Sequence, residues 1–282
     1  GDIVSVGAGA YRETLTLRAN VKVIGVGADR VIVDANNQGP AMIANGNTIG
    51  RATLVEGLTL TRGVGSNGGG LQINGGASPT VRFNRIIANR ATVAGGGVYI
   101  AAGSTALLLD NLIQDNQAPS AGGVAIIGVT TPALSGNTVQ NNRAATDGGG
   151  IYLADASPLL EDNEVLRNTA GRFGGGLVIL NAGADPAARN NTIAENLAGE
   201  DGGGVVVQGG AKGVLENNLI QGNVARTGIG GGLKIRSTLD YGLQQAAEQA
   251  VSDNLAGLGP TAAVVAIDNG SGEVLAMVGG QD

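Results

Sequence analysis

A cluster of glycines returns along this chain every 26 to 28 residues, and it constrains the fold more than any other feature. A second pattern, Asn-x-(Ile/Val)-x-x-Asn, keeps the same phase over six copies. A fixed period of this size indicates a repeat architecture, in which each unit packs on its neighbours. The last glycines of the clusters are Gly70, Gly97, Gly123, Gly150, Gly176, Gly204 and Gly232. The asparagines that open the second pattern are Asn84, Asn111, Asn137, Asn163, Asn191 and Asn218.

The apolar runs inside one repeat are short, aliphatic and nearly alternating, and Gly, Asn, Asp and Ser separate them. This pattern is typical of short strands joined by turns. Helical repeats would not tolerate three glycines each, since an interior glycine costs about 1 kcal/mol in a helix. The repeat therefore predicts an all-β fold, a right-handed parallel β-helix with three short strands per coil and about nine coils over residues 1–236.

The two repeated residue types are expected to have structural roles. Each glycine marks a tight corner, where only a hydrogen side chain suits the backbone angles or the close approach of the next coil. Equivalent asparagines lie about 4.8 Å apart in stacked coils, so that each side chain can bond to the next in a ladder. The alternative is a ligand-binding stripe, and we favour the structural ladder.

Three acidic residues close to the asparagine pattern form a candidate acidic groove, namely Asp110, Asp162 and Glu216. Glycoside hydrolysis requires two carboxylates about 5–9.5 Å apart, and Asp110 and Asp162 lie two coils, or about 9.6 Å, apart. The acids are spread over many coils, which favours a solvated face over a catalytic pair or a calcium groove. We therefore expect no metal or other cofactor, with calcium as the weaker alternative.

Composition narrows the chemistry further. The chain has no histidine and no cysteine, which excludes histidine bases, Ser-His-Asp triads and thiol chemistry. A net charge of −6 argues against a nucleic-acid partner. No apolar run reaches the length of about 18 residues that spans a membrane, and no signal peptide precedes Gly1. The first coil shows no cap, so end-to-end self-association is a further expectation.

The opening coils carry a more specific pattern. Residues 2–17 hold a strand followed by Gly-x-Tyr-x-Glu, and further strands follow over 21–25 and 31–34. This order resembles the first coils of the pectin-lyase-like superfamily. With the later coils, the chain is similar over about residues 1–235 to bacterial surface proteins with right-handed β-helix repeats. The resemblance implies the fold alone, because this superfamily includes lyases, hydrolases, esterases and inert stalks.

The chain changes character after Gly230. It reads S-T-L-D-Y-G-L-Q-Q-A-A-E from Ser237 and V-A-I-D-N-G-S-G-E-V-L-A-M-V-G-G up to Gly280. Both stretches resemble the start of the transpeptidase domain of class A penicillin-binding proteins. Apolar residues at helical spacing predict a helix over about 239–254, and two strands around Asn-Gly-Ser-Gly predict a hairpin over about 262–279. We assign 237–282 to this transpeptidase-like fragment.

The catalytic motifs of that family are not carried over. They are Ser-x-x-Lys, Ser-x-Asn and Lys-Thr-Gly, and none of Lys22, Lys212 and Lys234 stands in such a motif. Ser252-Asp253-Asn254 matches the second motif but falls at the end of the predicted helix, whereas the family's motif follows its nucleophile. The fragment is either the opening of a longer transpeptidase or a cap over the last coil, and we favour the cap.

These observations lead to three functional hypotheses. The first is a non-catalytic scaffold, stalk or glycan-contacting module, extracellular or in the cell envelope, with polysaccharide or peptidoglycan as partner. The tail's resemblance implies a bacterial cell-wall setting for it. The second is a polysaccharide lyase or glycoside hydrolase of the pectin-lyase-like class. The third is a truncated piece of a peptidoglycan transpeptidase without its catalytic motifs.

Overall fold

The computed structural model describes residues 1–235, 245–247, 249, 264–267 and 274–278. The chain divides into two units, Gly1–Ile235 and Arg236–Asp282. The first unit is a parallel β-solenoid with three nine-stranded sheets and one seven-stranded sheet in its described residues. The predicted all-β, right-handed parallel β-helix is confirmed.

The sheets, named A to D, run the length of the solenoid, and each strand pairs with its equivalents in the neighbouring coils. Sheet A contains β1 Ile3–Val6, β4 Lys22–Gly25, β7 Leu54–Glu56, β11 Thr80–Arg82, β15 Leu107–Leu109, β19 Ala133–Ser135, β23 Leu159–Glu161, β27 Ala187–Arg189 and β31 Val214–Glu216. Sheet B contains β2 Gly9–Tyr11, β5 Val31–Asp34, β8 Thr59–Thr61, β12 Arg85–Ile87, β16 Leu112–Gln114, β20 Thr138–Gln140, β24 Glu164–Leu166, β28 Thr192–Ala194 and β32 Leu219–Gln221.

Sheet C contains β3 Leu15–Thr16, β6 Met42–Asn45, β10 Leu71–Asn74, β14 Val98–Ile100, β18 Val124–Ile127, β22 Ile151–Ala154, β26 Leu177–Leu180, β30 Val205–Gln208 and β34 Leu233–Ile235. Sheet D contains β9 Val64–Asn67, β13 Arg90–Ala94, β17 Gln117–Ala118, β21 Arg143–Ala144, β25 Thr169–Ala170, β29 Leu197–Ala198 and β33 Val224–Ala225. We number the coils by their sheet A strands, so that β1 opens coil 1 and β31 opens coil 9.

The sequence predicts three strands per coil, but sheet D adds a fourth strand to coils 3 to 9. It starts in coil 3 and lies between sheets B and C in chain order. Most of its strands have only two residues, too few to show the alternation that identifies a strand. Its inward column is made of alanines, which fit where the chain turns into the glycine cluster: Ala91, Ala118, Ala144, Ala170 and Ala198.

The core is a set of aliphatic columns, one residue from each coil. The middle residue of each short strand points inward, as Leu108 does in sheet A and Ile113 does in sheet B, and both are fully buried. Each coil covers the apolar residues of its neighbours, which explains why a single repeat would not be stable alone. At the two ends of the stack, the inward Val23 and Ile220 are only partly buried.

The second unit is described in part. Residues 245–247 and 249 are helical, and β35 Val264–Ile267 pairs antiparallel with β36 Val274–Val278. These segments fall inside the predicted helix and hairpin. The rest of both elements and the Ser252-Asp253-Asn254 triplet lie outside the described residues, and the predicted capping of the last coil remains a prediction.

Candidate functional site

Two columns of asparagine run inside the solenoid at neighbouring corners. The A–B ladder consists of Asn84, Asn111, Asn137, Asn163, Asn191 and Asn218. The B–D ladder consists of Asn89, Asn116, Asn142, Asn168, Asn196 and Asn223. In each column, an asparagine Nδ2 donates to the Oδ1 of the asparagine in the next coil, at 2.9–3.1 Å. The interval of 26 to 28 residues thus places identical amides directly above one another.

Each interior asparagine uses its whole hydrogen-bonding capacity. The Asn137 Nδ2 donates to Asn163 Oδ1 at 3.0 Å and to the Leu108 carbonyl at 2.8 Å. Its Oδ1 accepts from both the backbone N and the Nδ2 of Asn111, each at 3.0 Å. A neutral amide has two N–H donors and two acceptor lone pairs, so all four are occupied. Because Asn137 is also fully buried, it offers no polar atom to a ligand.

The glycine corner packs directly against the B–D ladder. A Cβ added to Gly97 would lie 2.8 Å from the Gly123 carbonyl oxygen and 2.9 Å from Asn116 Nδ2. Left-handed backbone angles belong instead to the first glycine of the cluster, such as Gly95 with φ of 68°. The last glycine of a cluster is therefore required because the next coil lies too close for a side chain, and the first glycine is required because of its left-handed backbone angles. The same crowding recurs at Gly70, Gly123, Gly150, Gly176 and Gly204.

The corner is less crowded on the last coil. Within the part of the chain that the structure describes, the nearest atom to a Cβ added to Gly232 would be Ile220 Cγ2, at 3.8 Å. This is an ordinary van der Waals distance, so the described residues do not impose on Gly232 the steric requirement that they impose on the equivalent glycines.

Asp110 and Asp162 share one exposed position, immediately before the asparagines of the A–B ladder. Both have left-handed backbone angles, with φ of 52° and 55°. Glycine, asparagine and aspartate tolerate this conformation best, and the same corner holds Gly136 in coil 6. Turn geometry alone therefore accounts for an aspartate at this position. The two carboxylates are not adjacent in the column, because Gly136 occupies the coil between them.

Glu216 does not belong to this column. It ends strand β31 and is the register partner of Arg189, whose Nε donates to its carboxylate at 3.0 Å. Asn217 holds the left-handed turn position in coil 9, with φ of 54°. Glu216 stands two residues before Asn218, whereas Asp110 and Asp162 stand directly before their ladder asparagines. The candidate acidic groove therefore consists of two separate columns.

Other carboxylates are engaged in contacts between coils. The Arg62 guanidinium bonds to Asp34 and holds the pKa of that carboxyl below its ordinary value. Asp147 accepts from Arg172 Nε at 3.0 Å and from the Phe173 backbone N at 3.2 Å. Burial, and secondarily the Asp147 charge, raises the pKa of Tyr152. These acids tie one coil to the next.

An exposed basic row on sheet D was not anticipated from the sequence. Arg90 and Arg143 face solvent two coils apart, with Gln117 in the same column between them. Among the described residues, neither guanidinium forms an ion pair or a side-chain hydrogen bond. The signal was present in the sequence, because these residues directly follow the closing asparagines of the second pattern.

The N-terminal end of the solenoid holds an apolar cavity of about 460 Å³. Val6, Tyr11, Leu15 and Val23 are among its lining residues. The described residues contain no group of three or more acidic side chains that could hold a metal ion. In the same residues there is no helix of the length and hydropathy needed to cross a bilayer.

The stacked parallel sheets, the amide ladders and the glycine corner define a class of protein, the β-solenoids built from single-coil repeats. The family model described as "Right handed beta helix region" matches residues 20–193 and 117–244. The chain belongs to this right-handed β-helix family. No curated protein and no solved structure matches the chain.

Proposed function

We propose that this protein is a non-catalytic β-helix scaffold that acts outside the cell or in the cell envelope and contacts glycans along its flank. The observation that carries the scaffold role is that every interior asparagine of both ladders has all its hydrogen-bonding groups occupied by other coils. The ladder asparagines are the most regular polar residues of the repeat, and their side chains form hydrogen bonds between neighbouring coils. A rod built in this way is rigid along its length, which suits a stalk or spacer.

The placement of the acids also supports a scaffold. A glycosidase pair requires two carboxylates that converge on one bond. Here Asp110 and Asp162 occupy backbone-constrained turn positions two coils apart, and Glu216 is paired with Arg189 in another column. Each acid therefore has a structural reason for its position.

The Arg90–Gln117–Arg143 row favours the contact with glycans, and in particular with acidic ones. Equivalent positions are about 4.8 Å apart along the rod, so the backbone positions of Arg90 and Arg143 stand about 9.6 Å apart. A linear polyanion lying along the rod would meet both, with Gln117 available between them for a hydroxyl. Guanidinium groups bind carboxylates and phosphates through paired hydrogen bonds, which suits acidic polysaccharide and wall polymers.

Co-sedimentation tests this proposal. The full chain is incubated with insoluble peptidoglycan and with acidic and neutral polysaccharides at low and moderate salt. We expect retention on an acidic glycan, weakened by salt, and loss of retention in the Arg90→Ala/Arg143→Ala double variant. A matched control is Arg30→Ala/Arg51→Ala, which removes the same charge from other exposed positions. Equal loss in both variants, or no retention on any glycan, would reject the glycan contact.

Catalysis is tested with the same glycans. We expect no release of reducing or unsaturated ends on prolonged incubation with the full chain. Release that disappears in Asp110→Asn or Asp162→Asn would instead establish the polysaccharide lyase or glycoside hydrolase alternative. Covalent labelling by a fluorescent penicillin would support the transpeptidase alternative, and the missing motifs predict no labelling.

A further inference from the structure

The outward face of sheet A carries two columns of different character over coils 3 to 8. In each strand the first and third residues are partly exposed, and the middle residue is buried. The register places the first residues above one another, in a column of one threonine and five aliphatic residues that we call the aliphatic column: Leu54, Thr80, Leu107, Ala133, Leu159 and Ala187. The third residues form a column that we call charged, with two charged residues at each end and two uncharged residues in the centre: Glu56, Arg82, Leu109, Ser135, Glu161 and Arg189.

We propose that this face binds a second copy of the same chain, side by side and antiparallel. The two-fold axis lies between coils 5 and 6, parallel to the strands. A rotation about such an axis reverses the rod but leaves each column facing its own counterpart. Coil 5 then faces coil 6 of the partner subunit, coil 4 faces coil 7, and coil 3 faces coil 8. Interfaces of this kind must be self-complementary.

The side chains of the aliphatic column are self-complementary in size. Leu107 faces Ala133 of the partner subunit in the centre. Thr80 faces Leu159 of the partner subunit one coil further out. Leu54 faces Ala187 of the partner subunit at the edge. A large side chain meets a small one at every level, which is how two sheet faces about 10 Å apart interdigitate.

The charges of the charged column are self-complementary in sign. Arg82 faces Glu161 of the partner subunit, and Glu56 faces Arg189 of the partner subunit. Within one protomer, Arg82 already bonds Glu56, with Nε to Oε2 at 2.8 Å. The dimer would thus form a square in which each charge has opposite charges beside it and across from it. Glu161 forms no ion pair among the described residues, so the dimer would supply its partner.

Other arrangements of two copies fit this face less well. A two-fold axis along the rod would set the aliphatic column against the charged column of the partner, leaving charges on apolar surface. The antiparallel contact covers about 29 Å by 10 Å, from six coils of about 4.8 Å and three residues of about 3.3 Å. This is small for a protein interface, so we expect a reversible dimer with a dissociation constant in the micromolar range.

Sedimentation velocity of the full chain tests the dimer. We expect a monomer–dimer equilibrium over about 1–100 µM, with the dimer weakened by salt. Glu161→Arg sets two arginines face to face and is expected to weaken the dimer at least about tenfold. Arg82→Glu added to Glu161→Arg restores opposite charges across the interface and is expected to recover dimerisation. Glu164→Arg makes the same charge change on sheet B and is expected to leave the dimer unchanged.

Cross-linking tests the orientation, and the natural absence of cysteine makes single-cysteine variants clean. A mixture of Leu54→Cys and Ala187→Cys chains is expected to give a cross-linked dimer with a short bis-maleimide. Leu54→Cys alone is expected to give none, because its two copies would be about 24 Å apart along the rod. Circular dichroism confirms that each variant is folded.

Three results would overturn the proposal. They are a monomer at about 100 µM in low salt, a dimer unaffected by Glu161→Arg, and efficient cross-linking of Leu54→Cys alone. A dimer that survives Glu161→Arg but is lost on Ile3→Asp would point instead to end-to-end stacking at the N-terminal coil.

Discussion

The early coils and the ladder coils build the same stacked sheets with different turns. In coil 2 the connections between the strands are longer, and in coils 1 and 2 exposed asparagines such as Asn20 and Asn36 adopt left-handed angles. In coils 4 to 8, short corners are closed by buried asparagine, and the equivalent Asn218 and Asn223 of coil 9 are partly buried. The ladders start where the backbone N–H groups of Leu58 and Gly63 donate to the Oδ1 atoms of Asn84 and Asn89, at 3.0 and 2.8 Å.

This contrast shows that sheet pairing does not require the ladder, and that the asparagines serve the corners of the later coils. A short turn that faces inward leaves backbone groups without water, and the asparagine amide supplies their partners. The residues that repeat most strictly are therefore part of the architecture. Recognition must come from the outward positions, which differ from coil to coil.

The largest effect is expected from breaking a ladder in its middle. Asn137→Ala removes five hydrogen bonds of the side chain and leaves the buried backbone N–H of Asn111 without its acceptor. We expect a loss of about 3–6 kcal/mol in unfolding free energy, measured by urea denaturation. Asn45→Ala, at an exposed strand position in coil 2, is the matched change and is expected to cost under about 0.5 kcal/mol. Similar losses in both variants would contradict the structural role of the ladder.

A smaller but clear loss is expected at the glycine corner. Gly97→Ala forces a methyl group between the Gly123 carbonyl and the Asn116 amide. We expect a destabilisation of about 1–3 kcal/mol, read from the same denaturation curves. Gly50→Ala is the control from the early coils, because a Cβ there meets no atom within 4 Å. It should be neutral or stabilising by up to about 1 kcal/mol. A neutral Gly97→Ala would mean that the corner opens easily.

At the exposed turn beside the A–B ladder, we expect stability to depend on whether the residue tolerates a left-handed backbone and not on its charge. Asp162 has φ of 55°, which asparagine adopts readily and valine does not. Asp162→Asn is expected to change the unfolding free energy by less than about 0.5 kcal/mol, whereas Asp162→Val should cost about 1–2 kcal/mol. The comparison is made by thermal unfolding. A large loss in Asp162→Asn would show that the carboxylate itself matters.

The sequence predicts the inside of this molecule better than its outside. Gly97 and Asn137 are constrained by the coil above and the coil below, so they recur at a fixed interval that can be read directly. Sheet D escaped prediction because two-residue strands such as Gln117–Ala118 carry no periodicity. The sequence groups Glu216 with Asp110 and Asp162 by its closeness to the asparagine pattern, but Glu216 stands two residues before Asn218 and falls in a different column. Which outward-facing residues lie next to each other depends on the register between neighbouring coils, and this register cannot be read from one repeat alone.

The smallest effect is expected from the surface ion pair that joins two early coils. Arg62 lowers the pKa of Asp34 below its ordinary value of 3.8. A lowered carboxyl pKa in the folded state stabilises the protein above the unfolded pKa, and this contribution is lost as pH falls through the folded pKa. Arg62→Gln should therefore lower the melting temperature slightly at pH 7, and the difference from the native protein should shrink below about pH 4. A difference that grows on acidification would show that Arg62 stabilises the turn by packing instead of by charge.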